Sequence, residues 1–167
     1  MTVKQKIDIV NSMLIIIDTR EKKNQHITEY LESENIRFQS RAMSVGDYTF
    51  ELPDHKHLNL DNKYLIERKA SLDELAGNFT TGRERFAREF ERVTPDQRLH
   101  LVLEDFTWND LNAHNYRSGF LPQAYRASLL AWAVKYRFQT WTVKRSDSPQ
   151  FIYELLKKEL EFNLNFL

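Results

Sequence analysis

The 167-residue chain contains no cysteine. That rules out a disulfide framework and a thiolate zinc site, and it makes the reducing cytoplasm the expected setting. Glycine and proline are scarce, at four each, which excludes a collagen-like or flexible low-complexity chain. Apolar runs such as MLIII are too short to span a bilayer, no secretory pattern opens the sequence, and no membrane contact is expected. Excess charge is missing too. The 24 Lys and Arg equal the 24 Asp and Glu, so total charge neither favours nor opposes a nucleic-acid partner, and only its distribution is informative.

What the chain does have is enough apolar material for one core, with 41% hydrophobic and 13% aromatic residues. Residues 1–13 are polar and weakly patterned. MLIIID (13–18) reads as a strand buried on both faces, and 21–35 as an amphipathic helix. IRFQSRAMS (36–44) and DYTFEL (47–52) read as two strands joined by a bend at Gly46, followed by the polar loop PDHKHLNLDN. KYLIERK (63–69) is a strand. Capping-box pairs Ser71/Glu74 and Thr81/Glu84 start two helices, the second carrying Phe86, Phe90 and Val93 on one face. RLHLVLE (98–104) is a strand, a Trp- and Asn-rich connection follows, and Pro122 opens a long helix with a stripe of Tyr125, Leu129, Trp132 and Tyr136. That stripe reads as core, with a dimer seam as the alternative. FQTWTV is the last strand, and Ser148 and Pro149 supply N-cap and first position of a terminal helix. Strands alternating with helices predict an α/β fold with a mixed central sheet flanked by helices on both faces, as one domain over 1–167 with its core at about 14–145.

Chemistry concentrates in YLIERKASLDEL (64–75). Residues two apart on a strand share a face, so Glu67 and Lys69 point together while Arg68 points the other way with Tyr64 and Ile66. A carboxylate and an ammonium at a strand end suit phosphodiester cleavage: the acid holds a hard divalent cation and the ammonium orients or activates water. Mg²⁺ calls for a further acid, and Asp47, just after Gly46, is the best candidate. Arg68 faces the core side, where an unpaired guanidinium is costly, so it is expected to pair with Asp18 or Asp73.

Gly46-Asp47, then Glu67-Arg68-Lys69, three residues and Asp73, resemble the signature of the XPF family of structure-specific DNA endonucleases. IIIDTRE is similar to that family's opening motif, with Asp18, Arg20 and Glu21 in matching positions. NFTTGRERF resembles the start of its following helix and LHLVLE its next core strand, so the likeness runs from about 14 to 145. The resemblance implies a restriction-endonuclease-like core, Mg²⁺ or Mn²⁺ as cofactor, and branched, flap or fork DNA as substrate, with 3′-hydroxyl and 5′-phosphate products. It implies Asp47, Glu67 and Asp18 at the metal, the carbonyl of Arg68 completing the inner sphere, Lys69 serving the water, and Arg20, Glu21 and Asp73 orienting these groups. Pairing of nuclease domains in that family makes a homodimer, or a DNA-targeting protein, the expected partner. The interval between Asp47 and Glu67 is longer than the family's, and no helix-hairpin-helix or helicase segment is expected within the chain.

Plainer readings stand beside these. Asp18 and Glu21 suit a capping box, and Asp73 suits the first turn of a helix through the dipole alone. Arg83, Arg85, Arg88 and Arg92 either contact DNA phosphates or form a solvated face paired with the interleaved glutamates; Lys144 and Arg145 are weaker versions of the same idea. His55 and His57 lack a third ligand and read as loop residues. A nuclease of the same fold acting on other DNA or RNA, and a DNA-binding scaffold with a vestigial site, are the alternative functions.

Overall fold

The computed structural model describes residues 1–167. Six strands form one sheet: β1 (Leu14–Ile17), β2 (Phe38–Ser40), β3 (Tyr48–Glu51), β4 (Tyr64–Lys69), β5 (Arg98–Glu104) and β6 (Gln139–Val143), in the order β2-β1-β3-β4-β5-β6. β3 runs antiparallel to β1 and β4, while β1–β2, β4–β5 and β5–β6 are parallel, so the sheet is mixed as expected. β1 and β4 lie inside the sheet, and their uninterrupted apolar residues are buried on both faces.

Seven helices cover the two faces: α1 (Val3–Asn11), α2 (Gln25–Ser33), α3 (Leu72–Phe79), α4 (Arg83–Glu91), α5 (Trp108–Asn112), α6 (Pro122–Tyr136) and α7 (Ser148–Asn163). Ile9, Ile27, Leu31, Ile152 and Leu156 bring α1, α2 and α7 onto the face of Ile15, Ile17, Phe50, Ile66 and Val102. Leu75, Phe86, Phe90, Leu111, Leu129 and Trp132 bring α3 to α6 onto the face of Leu65, Leu99, Leu101 and Leu103. Tyr125 and Trp132 of α6 are buried, and the Tyr125 hydroxyl donates to the Leu72 carbonyl at 2.8 Å, so this stripe is core.

Several local expectations are corrected. Residues 3–11 form α1, started by a Thr2/Gln5 capping box whose apolar support comes from α7 rather than from its own sequence. The strand expected over 36–44 is short, and β2 and β3 do not pair with each other but flank β1 on opposite sides. The loop after β3 contains a 3₁₀ segment, Pro53–Leu58, and the Trp- and Asn-rich connection contains α5, capped by Thr107. Gly82 rather than Thr81 precedes α4, without a side-chain cap. Asp147 is the N-cap of α7, and Ser148 turns inward. No helix is long and apolar enough to cross a membrane.

Candidate active site

Strand alternation on β4 divides its three charges between the two faces. Glu67 and Lys69 project with Leu65 toward α3 and α4, whereas Arg68 projects with Tyr64 and Ile66 toward α2 and α7. Asp47 comes from the residue before β3. Its backbone is fixed on both sides: its N–H donates to the Ile66 carbonyl at 2.7 Å, and its carbonyl accepts from Asp18 N–H at 2.8 Å. Gly46 makes this approach possible. Its φ of +77° is one that side-chain-bearing residues rarely adopt, and a Cβ there would meet the Ile66 carbonyl oxygen at 3.2 Å.

These residues open into a cleft of about 590 Å³ whose walls include Arg20, Glu21, Asp47, Glu67, Arg68, Lys69 and Asp73, completed by α3 and α4 through Asn78, Arg85 and Glu89. Lys69 Nζ donates to Glu67 Oε1 at 2.7 Å and lies 4.9 Å from the centre of the Phe86 ring. Asp47 Oδ2 accepts the Arg68 N–H at 2.7 Å. Burial pushes the Asp47 carboxyl well above the usual range, and the Glu67 charge pushes it further. Burial also raises Glu67. Burial opposes the Lys69 charge, but Glu67 and Asp47 outweigh it and hold Lys69 above its ordinary value, as an ammonium. A half-buried and a buried acid therefore share one cation, an incomplete compensation that a hard divalent ion would complete. Asp47 and Glu67 fit such an ion as two carboxylates of the kind Mg²⁺ takes alongside phosphate and water oxygens.

The third expected ligand is not brought to this wall. No group of three or more His, Asp or Glu residues is arranged to hold a metal. Asp18 is buried, and both its oxygens are occupied: Oδ1 accepts Arg20 Nε and the Arg20 N–H at 2.9 and 2.7 Å, and Oδ2 accepts Arg20 Nη2 and the Met43 N–H at 2.8 and 3.0 Å. Arg20 Nη2 also donates to the Met43 carbonyl. Asp18 thus ties the 41–45 strap to the end of β1. Asp73 Oδ1 accepts the N–H groups of Arg117 and Ser118, both at 2.8 Å, and so pins the loop before α6 to the start of α3.

The partners expected for Arg68 are also corrected. Arg68 Nη1 donates to Glu104 Oε2 at 2.7 Å, and Nη2 donates to Glu21 Oε1 at 2.5 Å and to the Lys23 carbonyl at 3.0 Å. Glu104, at the end of β5, is invisible as a site residue in the sequence because LHLVLE reads simply as core. The signal available is an acid sharing the His100 and Val102 face of a strand that continues in register beside the Glu-Arg-Lys strand. Arg145, read as a weak DNA contact, donates to Glu104 Oε2 at 3.1 Å.

The arginine row divides. Arg85 reaches the cleft. Arg83 stacks on Trp132 and donates to the Phe79 carbonyl, so it holds α4 against α3 and α6. Arg92 donates to the Ser44 carbonyl at 3.4 Å, and Arg88 is exposed with Glu84 at 4.0 Å. His55 and His57 stand edge-to-face in the 3₁₀ segment with no third ligand.

A family model described as the ERCC4 domain matches residues 17–155. No curated protein sequence matches. Among solved structures, XPF from Aeropyrum pernix superposes with a TM-score of 0.62 and 17% identity, over 86% of this chain and 65% of that one. The structure of Aeropyrum pernix XPF in complex with DNA gives a TM-score of 0.63 and 17% identity, over 87% of this chain and 64% of that one. The chain thus spans slightly under two thirds of the length of these relatives, and the shared architecture is the restriction-endonuclease-like α/β core.

Proposed function

We propose, from the premise that the chain belongs to the ERCC4 domain family, that it is a divalent-metal-dependent endonuclease that hydrolyses DNA near flap, fork or other branched junctions. The observation that carries this reading is the under-compensated pair Asp47 and Glu67, raised above the usual carboxylate range in a cleft that also holds the Lys69 ammonium.

In this reading Asp47 and Glu67, with the carbonyl of Arg68, would hold Mg²⁺ or Mn²⁺, which when bound would supply positive charge beside the scissile phosphate and lower the pKa of water. Lys69, kept as an ammonium, donates hydrogen bonds that orient the attacking water and a non-bridging phosphate oxygen; its raised pKa argues against a role as the base. Glu67 aims Lys69 across 2.7 Å, and Phe86 limits its freedom from the other side. Water oxygen bonds to phosphorus as the bond from phosphorus to O3′ breaks; the attacking water gives up a proton to bulk water and O3′ takes one from bulk water, leaving a 3′-hydroxyl and a 5′-phosphate. Arg85, on the opposite wall, contacts a neighbouring phosphate. Asp18, Arg20, Glu21 and Asp73 serve by fixing the strap, Arg68 and the 117–118 loop around the cleft.

The chain acts as a single nuclease domain that pairs with a second copy. The exposed side of α6 supports pairing: Leu130 and Val134 are 54% and 80% exposed. The test is cleavage of end-labelled single-stranded, duplex, flap, fork and four-way DNA with Mg²⁺, Mn²⁺ or a chelator. Metal-dependent cuts clustered at junctions are expected. Equal cutting of plain duplex or RNA would move the substrate class, and binding without cleavage would favour a scaffold role.

A further inference from the structure

The side of β4 turned away from the cleft holds a second charged cluster, centred on Glu104. Its carboxylate is buried, and all its lone-pair directions are used. Oε1 accepts from Ser148 Oγ of α7 at 2.5 Å and from His26 Nε2 of α2 at 2.8 Å; Oε2 accepts from Arg68 Nη1 at 2.7 Å and from Arg145 Nη1 at 3.1 Å. Arg145 Nη2 approaches His26 Nδ1 at 3.3 Å and can only donate, so Nδ1 accepts and Nε2 carries the hydrogen given to Glu104. One carboxylate therefore joins α2, β4, β5 and α7 at the end of the sheet where the cleft opens.

Arg68 links this cluster to the reactive one. Its guanidinium is held by Glu104 and Glu21, while its own backbone N–H donates to Asp47 Oδ2 on the cleft side. Both groups belong to one residue, so how the guanidinium sits between Glu104 on one side and Glu21 with the Lys23 carbonyl on the other bears on the set of the N–H that holds Asp47. We propose that Glu104 is a positioning residue for the nuclease site: by fixing Arg68 from the far face of the sheet, it fixes the orientation of Asp47. This rests on the metal-dependent reading of the cleft. It assigns α7 a part in that site, although α7 contributes no residue to the cleft wall, because Ser148 supplies one of the four hydrogen bonds that hold Glu104.

The test compares the parent with Glu104→Gln, which keeps the size of the side chain but removes its charge, and with Ser148→Ala, which keeps the charge and removes one donor. Three quantities are read: the amide proton resonance and exchange rate of Arg68 in metal-free protein, the affinity for Mn²⁺ alone, and single-turnover cleavage alongside DNA affinity. In Glu104→Gln the Arg68 amide is expected to shift and exchange faster, with Mn²⁺ affinity and the cleavage rate at saturating DNA each falling about 10- to 100-fold. DNA affinity should stay within about twofold, because Glu104 is buried and lines no part of the cleft. Should Glu104→Gln fail to fold, Ser148→Ala carries the same readings at smaller amplitude. A folded variant whose Arg68 amide and Mn²⁺ affinity match the parent overturns the proposal. If the parent itself cuts no DNA, those two readings still decide the role of Glu104, and only the nuclease reading falls.

Discussion

The two faces of β4 carry charge clusters of opposite design. On the α2 and α7 face, the acids Glu21 and Glu104 meet the guanidiniums of Arg68 and Arg145, and Glu104 is held below the usual range: burial works against its charge, and the bonds from Ser148 and His26 and the Arg68 charge overcome it. On the α3 and α4 face, Asp47 and Glu67 share only Lys69, and both acids are pushed up. A cluster whose charges cancel within the protein serves the fold. A cluster left short of positive charge destabilises the fold unless something from outside completes it, which is the arrangement expected at a site that binds a cation.

Charge-removing substitutions break this contrast most strongly on the cleft side. Asp47→Asn and Glu67→Gln should each lower cleavage on the order of 10³-fold, the loss of several kcal/mol of transition-state stabilisation, in gel assays on folded protein. Arg68→Ala leaves half-buried Glu21 without its cation and buried Glu104 with only Arg145, and should cost about 3–5 kcal/mol by denaturant unfolding, with cleavage reduced as well. Without metal, Asp47→Asn should have the opposite effect on stability, raising Tm by roughly 2–4 °C, equivalent to about 1 kcal/mol in a chain of this size. That rise should shrink as pH falls, because the raised acids of the parent then become neutral by themselves. The sign reverses for Glu104. A depressed folded-state pKa gives stability that is present above the ordinary value of 4.5 and is lost as pH falls through the folded value, so Glu104→Gln should flatten the acid limb of the parent's stability curve. The smallest effect is expected at the rim: Arg85→Ala should weaken DNA binding and reduce the salt slope by about 1, whereas Arg83→Ala should change stability more than binding.

The cleft-side cluster is legible in the sequence because strand alternation alone puts Glu67 and Lys69 together, and Gly46 announces the bend that delivers Asp47. The facing of Arg68 follows from the same rule, but its partners do not. Alternation says which way a side chain points, and pairing depends on which acids three other elements bring to that spot. Glu104 and Ser148 reach it only through parallel pairing of β5 with β4 and the packing of α7. Asp18 and Asp73 match motif positions, but backbone amides claim them: those of Met43, Arg117 and Ser118 lie far away in the chain. α1 escapes a sequence reading for a similar reason, since its burial depends on α7.

The most direct test of the contrast is thermal unfolding of the parent and Asp47→Asn across a Mn²⁺ titration. At about 100 times the dissociation constant, binding to the folded state is worth about 2.7 kcal/mol, so the parent's Tm should climb by roughly 5–10 °C while that of Asp47→Asn stays nearly flat. A parent that gains nothing from Mn²⁺, or a variant that gains as much as the parent, would contradict the assignment of Asp47 and Glu67 as a cation site.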